Sequence, residues 1–309
     1  MKLVSIVTAC YNEEENVGKL CSAVREVFSG LGGYSYEHLF IDNASEDGTF
    51  AALKREAAAD KRVKIIRNSR NFGHIRSPFH ALLQANGDAV ISLSADFQDP
   101  PALIADFLRL WESGSMIVAG VKTRSEESPL LFRLRQYSYG LMNRISEVRH
   151  VENFTGFGLY DRRVIDILRG INDPYPYFRG LIADIGFEIA KVEYKQPARR
   201  SGVTKNNFYS LYDMAMLGFT NYSKIPLRAA TFLGFIMSVL SLFVAFVYLV
   251  YKLIYWEQFS LGMAPVVIGL FFMFSVQLLF LGIAGEYICS IHTKVLRRPL
   301  VIEAERVNF

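Results

Sequence analysis

The chain has 309 residues, of which 51% are hydrophobic and 14% are aromatic. This composition is too apolar for an ordinary soluble domain, and the length allows one sizeable domain plus a further element. The formal net charge of +4 is mild. It suits a protein that faces a membrane or binds phosphate groups, and it does not indicate nucleic acid as a partner.

The excess of apolar residues is concentrated in two uncharged runs near the C-terminus. No residue is charged from 229 to 251 or from 261 to 285. Each run exceeds the roughly 20 residues that cross a hydrocarbon core about 30 Å thick. The sequence therefore predicts a transmembrane hairpin over residues 225–290, with spans at 229–251 and 263–285. Two buried helices of a large soluble core are the alternative.

Basic residues flank the hairpin at both of its ends. They are Lys224, Arg228, Lys294, Arg297 and Arg298. Because positively charged flanks stay on the cytoplasmic side of a membrane, both termini are expected in the cytoplasm. The predicted organisation is a cytoplasmic domain over 1–224, the hairpin, and a cytoplasmic tail over 291–309.

Met1 opens directly into a strand-like run, so no signal peptide is predicted. The three cysteines, Cys10, Cys21 and Cys289, have no paired spacing. They are interpreted as reduced thiols and not as a disulfide set or a zinc site.

Residues 1–120 alternate short strand-like runs with helical stretches. Strands are predicted at 4–7, 38–41, 63–66, 89–93 and 116–119, and helices at 16–28, 49–59, 77–85 and 100–111. This alternation is typical of an α/β fold with a mostly parallel sheet and helices on both faces. Ligands of such sheets lie beyond the carboxyl ends of the strands, which is where Asp42, Ser94 and Asp96 fall.

Two stretches outside this pattern mix apolar, aromatic and polar or basic residues. Residues 129–145 and 208–219 are predicted to form amphipathic helices, with the second placed just before the first apolar run. Such helices can lie in the interface of a bilayer. Packing of the same helices on the sheet is an equally good explanation.

Three motifs close successive strands. They are TACYNEEENV (8–17), FIDNASEDGT (40–49) and SADFQDPP (94–101). In this order they resemble the family 2 glycosyltransferases, which have the nucleotide-sugar-binding GT-A fold. RNFGH (70–74), the hairpin and GEYI…RRPL (285–300) make the chain similar to the polyprenyl-phosphate glycosyltransferases, such as the bactoprenol glucosyltransferases and dolichyl-phosphate mannose synthases.

This resemblance implies an activity, partners and a location. The expected reaction is inverting transfer of a sugar from a nucleotide-sugar, with UDP as the expected nucleotide, to polyprenyl (undecaprenyl) phosphate. The product would serve the modification of cell-envelope glycans. The expected location is the bacterial inner membrane, and the expected assembly is a homo-oligomer, a tetramer in the resembling family.

The resemblance assigns Asp96 and Gln98 to a divalent cation, Mg²⁺ or Mn²⁺, beside the donor diphosphate. These hard cations take oxygen ligands and stabilise charge on a leaving group. Ser94 stands where relatives usually hold an aspartate, and it is expected at the nucleotide. Asp99 is expected to cap the helix after the prolines. An ordinary strand-to-helix turn is the alternative for the whole cluster.

Asp42 matches the family position that contacts the uracil or ribose, because a carboxylate accepts hydrogen bonds from a base N–H or a hydroxyl. Asn43 replaces a second aspartate that is common in relatives. The resemblance also places five further residues around the donor: Thr8, Tyr11, Glu13, Arg70 and Asn71. The alternatives are turn or cap roles for the first three and a loop-orienting role or an exposed basic turn for the last two.

RRSGVTKNNF (199–208) resembles the Arg-x-x-Gly-x-Ser-Lys element of the family. Arg199 and Lys205 would then hold phosphates near the membrane during catalysis, and Arg124 and Arg133 are expected near the acceptor phosphate. Cations just before a membrane span could equally anchor the chain to lipid headgroups.

NFTGFGLYDRR (153–163) departs from the family, because relatives often hold aspartate and arginine where Gly156 and Gly158 stand. No catalytic group is assigned to this segment. Together with Ser94, these departures leave open a catalytically weak relative that serves as a membrane scaffold. A processive polysaccharide synthase is disfavoured, because neither of the two tryptophans stands in a Gln-x-x-Arg-Trp motif.

Overall fold

The computed structural model describes residues 1–124, 146, 148, 151–197, 216–255 and 263–309. The strands are β1 (Lys2–Cys10), β2 (Tyr34–Asp42), β3 (Val63–Asn68), β4 (Ala89–Ser92), β5 (Ile117–Arg124), β6 (Phe154–Asp161), β7 (Ile189–Lys195) and β8 (Glu303–Val307). The helices are α1 (Glu14–Ser29), α2 (Thr49–Ala59), α3 (Gly73–Gln84), α4 (Ile104–Glu112), α5 (Arg162–Gly170), α6 (Phe178–Asp184), α7 (Ile225–Ile254) and α8 (Met263–Val295).

The eight strands form one mostly parallel sheet in the order β7-β5-β6-β4-β1-β2-β3-β8. β1 pairs in parallel with β2 and β4, and β2 pairs in parallel with β3. β6 and β8 run antiparallel to their neighbours. The predicted α/β class with a mostly parallel sheet is confirmed.

The sheet is buried on both faces because successive side chains of a strand point to opposite sides. Val4 and Ile6 of β1 pack in a cluster with α1, α2 and α4. Val7 packs on the other face, in a cluster with α3, α5 and α6. The two layers of helices therefore cover the parallel strands completely and leave the ends of the strands for ligands.

The helix α3 begins earlier than the sequence predicted. It starts at Gly73, whereas the prediction started at residue 77, and Pro78 lies inside it. Proline is favoured in the first turn of a helix, whereas Pro78 lies in the second turn of this one. Gly73 has a φ of +84°, which glycine adopts without strain.

The helices α7 and α8 are long and apolar enough to cross a membrane, over Ile225–Ile254 and Gly269–Val295. Their apolar side chains face outward: Phe232 and Phe271 are each 71% exposed. The uncharged runs thus form two helices, as predicted, and α8 continues to Val295, ten residues beyond the predicted span.

The C-terminal residues return to the sheet. β8 pairs antiparallel with β3, and it is joined to α3 where His80 Nε2 lies 2.6 Å from Glu303 Oε1. Arg306 Nη2 donates to Gln84 Oε1 at 2.9 Å. The segment predicted as a tail therefore contains an edge strand of the sheet.

The amphipathic helix predicted over 129–145 lies outside the described residues. Of the second, over 208–219, the described residues 216–219 belong to a helix that runs to 222. Both interfacial helices stay predictions.

Candidate active site

The carboxyl ends of β1, β2 and β4 meet at one edge of the sheet. In the parallel register Cys10 of β1 lies opposite Asp42 of β2, and Val7 lies opposite Ser92 of β4. The three polar motifs follow these strands, so the fold brings them side by side.

The backbone has an unusual conformation in each of these three segments. Asn12, Ala44 and Phe97 have φ values of +57°, +61° and +60°. A positive φ is uncommon for residues other than glycine, and such residues cluster at functional sites. The backbone thus marks this edge as a candidate site independently of its side chains.

Asp42 is fully buried at this edge. Its Oδ1 accepts a hydrogen bond from Ser45 N at 3.0 Å. Its Oδ2 has no hydrogen-bond partner within the described parts of the chain, and Arg67 Nε lies 3.7 Å from it. A buried carboxylate oxygen without a hydrogen bond is costly, so Oδ2 fits a donor group supplied by a ligand.

Asn43 is the centre of a hydrogen-bond network. Its Nδ2 donates to Asn71 Oδ1 at 2.8 Å, and its Oδ1 accepts from Asn68 Nδ2 and Phe72 N at 2.9 Å each. Asn71 Oδ1 also accepts from Gly73 N at 2.8 Å. The network holds the loop before α3 against the end of β2, so the geometry favours the loop-orienting alternative for Asn71.

The other residues predicted around the donor differ in exposure. Thr8 is fully buried, with its Oγ1 3.1 Å from His38 Nε2. Burial lowers the pKa of His38 to about 3, so the histidine is neutral. Its contact with Thr8 links β1 to β2 inside the sheet. Tyr11 and Glu13 are half-buried and Arg70 is exposed, and a ligand can reach these three.

The loop after β4 folds around its own carboxylates. Asp96 Oδ1 accepts from Gln98 N at 3.2 Å. Asp99 Oδ2 accepts from Ser94 N at 3.3 Å, and its Oδ1 accepts from the Tyr194 hydroxyl at 2.8 Å. Burial raises the pKa of the Asp99 carboxyl, and the bond from Tyr194 partly offsets this.

The expected capping role of Asp99 is wrong. Its two oxygens are turned to Ser94 and Tyr194, and no side chain caps the 3₁₀ turn Pro101–Leu103 or α4, both of which lie within the described residues. The bond to Tyr194 connects the loop to β7 at the far side of the sheet, and the sequence contains no local signal for it.

Asp96 and Gln98 offer oxygen ligands of the kind that a hard divalent cation takes. Residues 1–124, 151–197, 216–255 and 263–309 contain no group of three His, Cys, Asp or Glu side chains that could hold a metal. Magnesium is commonly bound by one or two carboxylates together with substrate phosphates. The residues therefore fit a cation whose remaining ligands come from a phosphate-bearing substrate.

A cavity of about 320 Å³ opens beside the same loop, between the end of β4 and the helices α3 and α6. Its lining residues include Ser94, Asp99 and Thr155, and also His74 and Arg179. The sequence analysis missed the contribution of the segment around Arg179. The aromatic run YPYF (175–178) was the available signal, but it carries no motif.

The glycines at 156 and 158 have different structural reasons. Gly156 lines the cavity and has a φ of +103°. Residues other than glycine adopt this left-handed backbone conformation only with strain. At Gly158 a Cβ would collide with the carbonyl oxygen of Val118 on β5. The close approach of β5 and β6 therefore excludes any side chain at 158.

Of the four predicted phosphate-binding cations, Arg124 alone belongs to the described residues. Arg133, Arg199 and Lys205 lie outside the described residues. Arg124 ends β5, opposite Lys195 of β7. Their roles stay predictions.

The fold and the edge of the sheet define a class of protein. The sheet is of the GT-A type, with polar loops gathered at the carboxyl ends of its parallel strands. The family model "Glycosyl transferase family 2" matches residues 5–169. The chain belongs to this family, and it is a glycosyltransferase.

Two relatives match this chain over nearly its whole length. The chain is 33% identical to "Uncharacterized glycosyltransferase YkcC" of Bacillus subtilis (strain 168), over 96% of this chain and 92% of the relative. It is 31% identical to the "SfII prophage-derived bactoprenol glucosyl transferase" of Shigella flexneri, over 97% of this chain and 96% of the relative.

A solved structure shares the fold. Glucosyl-3-phosphoglycerate synthase from Mycobacterium tuberculosis, in complex with Mn²⁺, uridine-diphosphate and phosphoglyceric acid, superimposes with a TM-score of 0.50 and 16% identity. The match covers 71% of this chain and 76% of the synthase. This likeness supports the GT-A fold of the sheet domain.

Proposed function

We propose that the chain transfers a sugar from a UDP-sugar to polyprenyl phosphate, with undecaprenyl phosphate as acceptor in a bacterial inner membrane. Transfer proceeds with inversion and gives a lipid-linked monosaccharide for cell-envelope glycans. The observation that carries this proposal is the match to a bactoprenol glucosyl transferase over 97% of the chain. A match of this length includes the hairpin as well as the family 2 domain.

The geometry supports a donor that lies along the edge of the sheet. Asp42 Oδ2 accepts a hydrogen bond from the base or ribose, and Tyr11 and Glu13 border the nucleoside. Asp96 and Gln98 would hold Mg²⁺ or Mn²⁺. When bound, the cation supplies charge stabilisation to the departing diphosphate.

The acceptor needs little activation from the protein. A phosphate monoester has a second pKa of about 6, so the lipid phosphate oxygen is already anionic at neutral pH. No strong general base is then required. The task of the chain is to position the donor and the acceptor and to stabilise charge, with Arg124, Arg133, Arg199 and Lys205 proposed as phosphate contacts.

The path of the chain supports a membrane hairpin with both termini in the cytoplasm. β1 and β8 belong to one sheet, so the chain that leaves through α7 must return through α8 to the same side. The basic flanks of the hairpin favour the cytoplasmic side. We also propose a homo-tetramer, which mass photometry of the detergent-solubilised protein tests.

Purified full-length protein in lipid vesicles containing undecaprenyl phosphate tests the proposal. It is incubated with Mg²⁺ and a panel of labelled UDP-sugars, and Asp96→Ala is the matched inactive control. We expect a lipid-extractable, monoglycosylated product from at least one donor. A water-soluble polymer would instead support a processive synthase. Binding of UDP without turnover of any donor would support the scaffold.

A further inference from the structure

The order of the strands gives the cavity a defined position relative to Asp42. The strands run β6-β4-β1-β2 across this part of the sheet. Asp42 ends β2, whereas the cavity lies at the end of β4 and against β6, on the other side of β1. The loop that contains Asp96 follows β4. A donor with its nucleoside at Asp42 and its diphosphate at Asp96 therefore directs its sugar toward the cavity.

The walls of the cavity are mainly apolar and are held by the core. Pro78, Phe79 and Leu82 come from α3, Phe157 from β6 and Phe178 from α6. Phe79, Leu82 and Phe157 are each 2% exposed. The rings of Phe79 and Phe178 meet edge to face with centroids 6.1 Å apart. Because these side chains belong to the packed core, the wall keeps its shape without a ligand.

Two of the polar groups that line the cavity are held in place by hydrogen bonds to the surrounding chain. Asp99 is held by the Tyr194 hydroxyl at 2.8 Å, and Arg179 Nη1 donates to Phe154 O at 3.4 Å. The Asp99 carboxylate can accept a hydrogen bond from a sugar hydroxyl. A few placed polar groups in an apolar cavity are typical of sites for small ligands, which measure roughly 300–1,000 Å³.

We propose that this cavity receives the sugar of the donor, and that the sugar carries a methyl-bearing substituent, as in an N-acetylated or a 6-deoxy sugar. The inference rests on the proposed function. An apolar wall gains free energy from a methyl group, whereas a hydroxyl in the same place would lose its hydrogen bonds to water. Gly156, which has no side chain, keeps the space beside the strand ends open for the substituent.

Calorimetry with full-length protein in detergent and Mn²⁺, without lipid acceptor, tests the inference. The ligands are UDP, UDP-glucose, UDP-N-acetylglucosamine and UDP-6-deoxyglucose. We expect at least one methyl-bearing donor to bind about tenfold or more tightly than UDP-glucose, which is the range for one added apolar group in a fitted pocket.

Two variants test the position of the sugar. Ile75→Trp fills the cavity from α3, and Thr155→Trp fills it from an exposed position of β6, where misfolding is not expected. Both should weaken binding of the preferred UDP-sugar and leave binding of UDP unchanged. Ile75→Leu, which nearly conserves volume, is the matched control and should bind both as the wild type does.

The outcomes separate this inference from the function on which it rests. If UDP binds but the donors do not differ, or if the filled variants bind the preferred donor normally, the cavity does not hold the sugar and the inference fails alone. Lost transfer in the filled variants with normal donor binding would assign the cavity to the lipid acceptor and would also overturn the inference. If UDP does not bind at all, the proposed function fails with it.

Discussion

Two regions of the same sheet edge are built in opposite ways. On the β2 side, Asn43 is hydrogen-bonded to Asn71, Asn68 and Phe72 N at 2.8 to 2.9 Å, and this network lies next to the buried Asp42. On the β4 side, a cavity of about 320 Å³ lies open between apolar walls. β1 separates the two regions.

The difference shows how one edge serves two kinds of recognition. A network of buried hydrogen bonds fixes geometry, because each member that loses its partner is penalised. It suits a part of a ligand that never changes, such as the nucleotide in our proposal. The shape of an apolar cavity changes when a single lining side chain is replaced by a larger or smaller one. Such a cavity suits the part of a ligand that differs between family members.

The largest expected effect is at the loop between the two regions. Asp96→Ala should reduce sugar transfer to background with the fold intact, because an oxygen ligand and its charge are lost beside the diphosphate. An assay of transfer to polyprenyl phosphate measures the activity, and the circular dichroism spectrum measures whether the fold is intact. Asp106→Ala, at an exposed ion pair with Arg109, is the control. Normal turnover by the Asp96 variant, or in excess chelator, would contradict the metal site.

The next effect is on the β2 side. Asp42→Asn keeps the acceptor for Ser45 N but replaces Oδ2, which has no hydrogen-bond partner among the described residues, by an amide NH₂. UDP affinity should fall about tenfold to a hundredfold, since a hydrogen bond to a charged group contributes about 1.5–3 kcal/mol. Calorimetry with UDP measures this. Asp47→Asn, where the carboxylate accepts from Thr49 N, should keep wild-type affinity, and equal losses in both would remove the specific role of Asp42.

A smaller effect is expected at Gly158 of β6, the strand that pairs with β4. Gly158→Ala places a Cβ against the carbonyl oxygen of Val118, and the resulting strain should destabilise the protein by about 1–3 kcal/mol. Gly170→Ala is the matched control, because a Cβ there meets no atom of the described residues within 4 Å. Thermal unfolding of the two variants is compared. Equal melting temperatures would show that β5 and β6 are not as closely spaced as described.

The smallest effect concerns β8, the edge strand of the sheet beyond β2 and β3. The hydrogen bonds from Arg306 and His80 keep the pKa of Glu303 below its ordinary value of 4.5. A carboxyl with a lowered folded pKa stabilises the fold above that ordinary value, and the contribution is lost as the pH falls through the lowered pKa. Glu303→Gln should therefore unfold at a lower temperature than wild type at pH 7, and the difference should shrink below pH 4.5. A difference independent of pH would contradict this.

The sequence predicted the first five strands and missed the last three. Alternating strands and helices over residues 1–120 carry a clear period, and the structure confirms β1 to β5, with shifted bounds and a β4 that is one residue shorter than predicted. β6 contains Gly156 and Gly158, which weaken a strand pattern, and β8 is polar and short. Whether such segments become strands depends on the neighbours that they pair with, which the local sequence does not state.

Some features of the candidate site could likewise be predicted from the sequence, and others could not. The three motifs were found because polar residues directly after buried strands must lie at one edge of a parallel sheet. The internal partners of Asn43 and the burial of Thr8 were not found, because they depend on side chains from other loops. The role of Asp99 was predicted from its neighbours in the chain and was wrong.

The sequence by itself determined the parallel sheet, the three motifs at its edge and the two long apolar helices, because each is encoded by a period or by chemistry within a few residues. Only the tertiary structure decided the cavity, the bond between Asp99 and Tyr194, and the return of β8 to the sheet. These features join residues 95 apart at Asp99 and Tyr194 and 223 apart at His80 and Glu303. Contacts over such separations are fixed by the packing of the whole domain, since the free energy that holds them comes from burying all of its elements together.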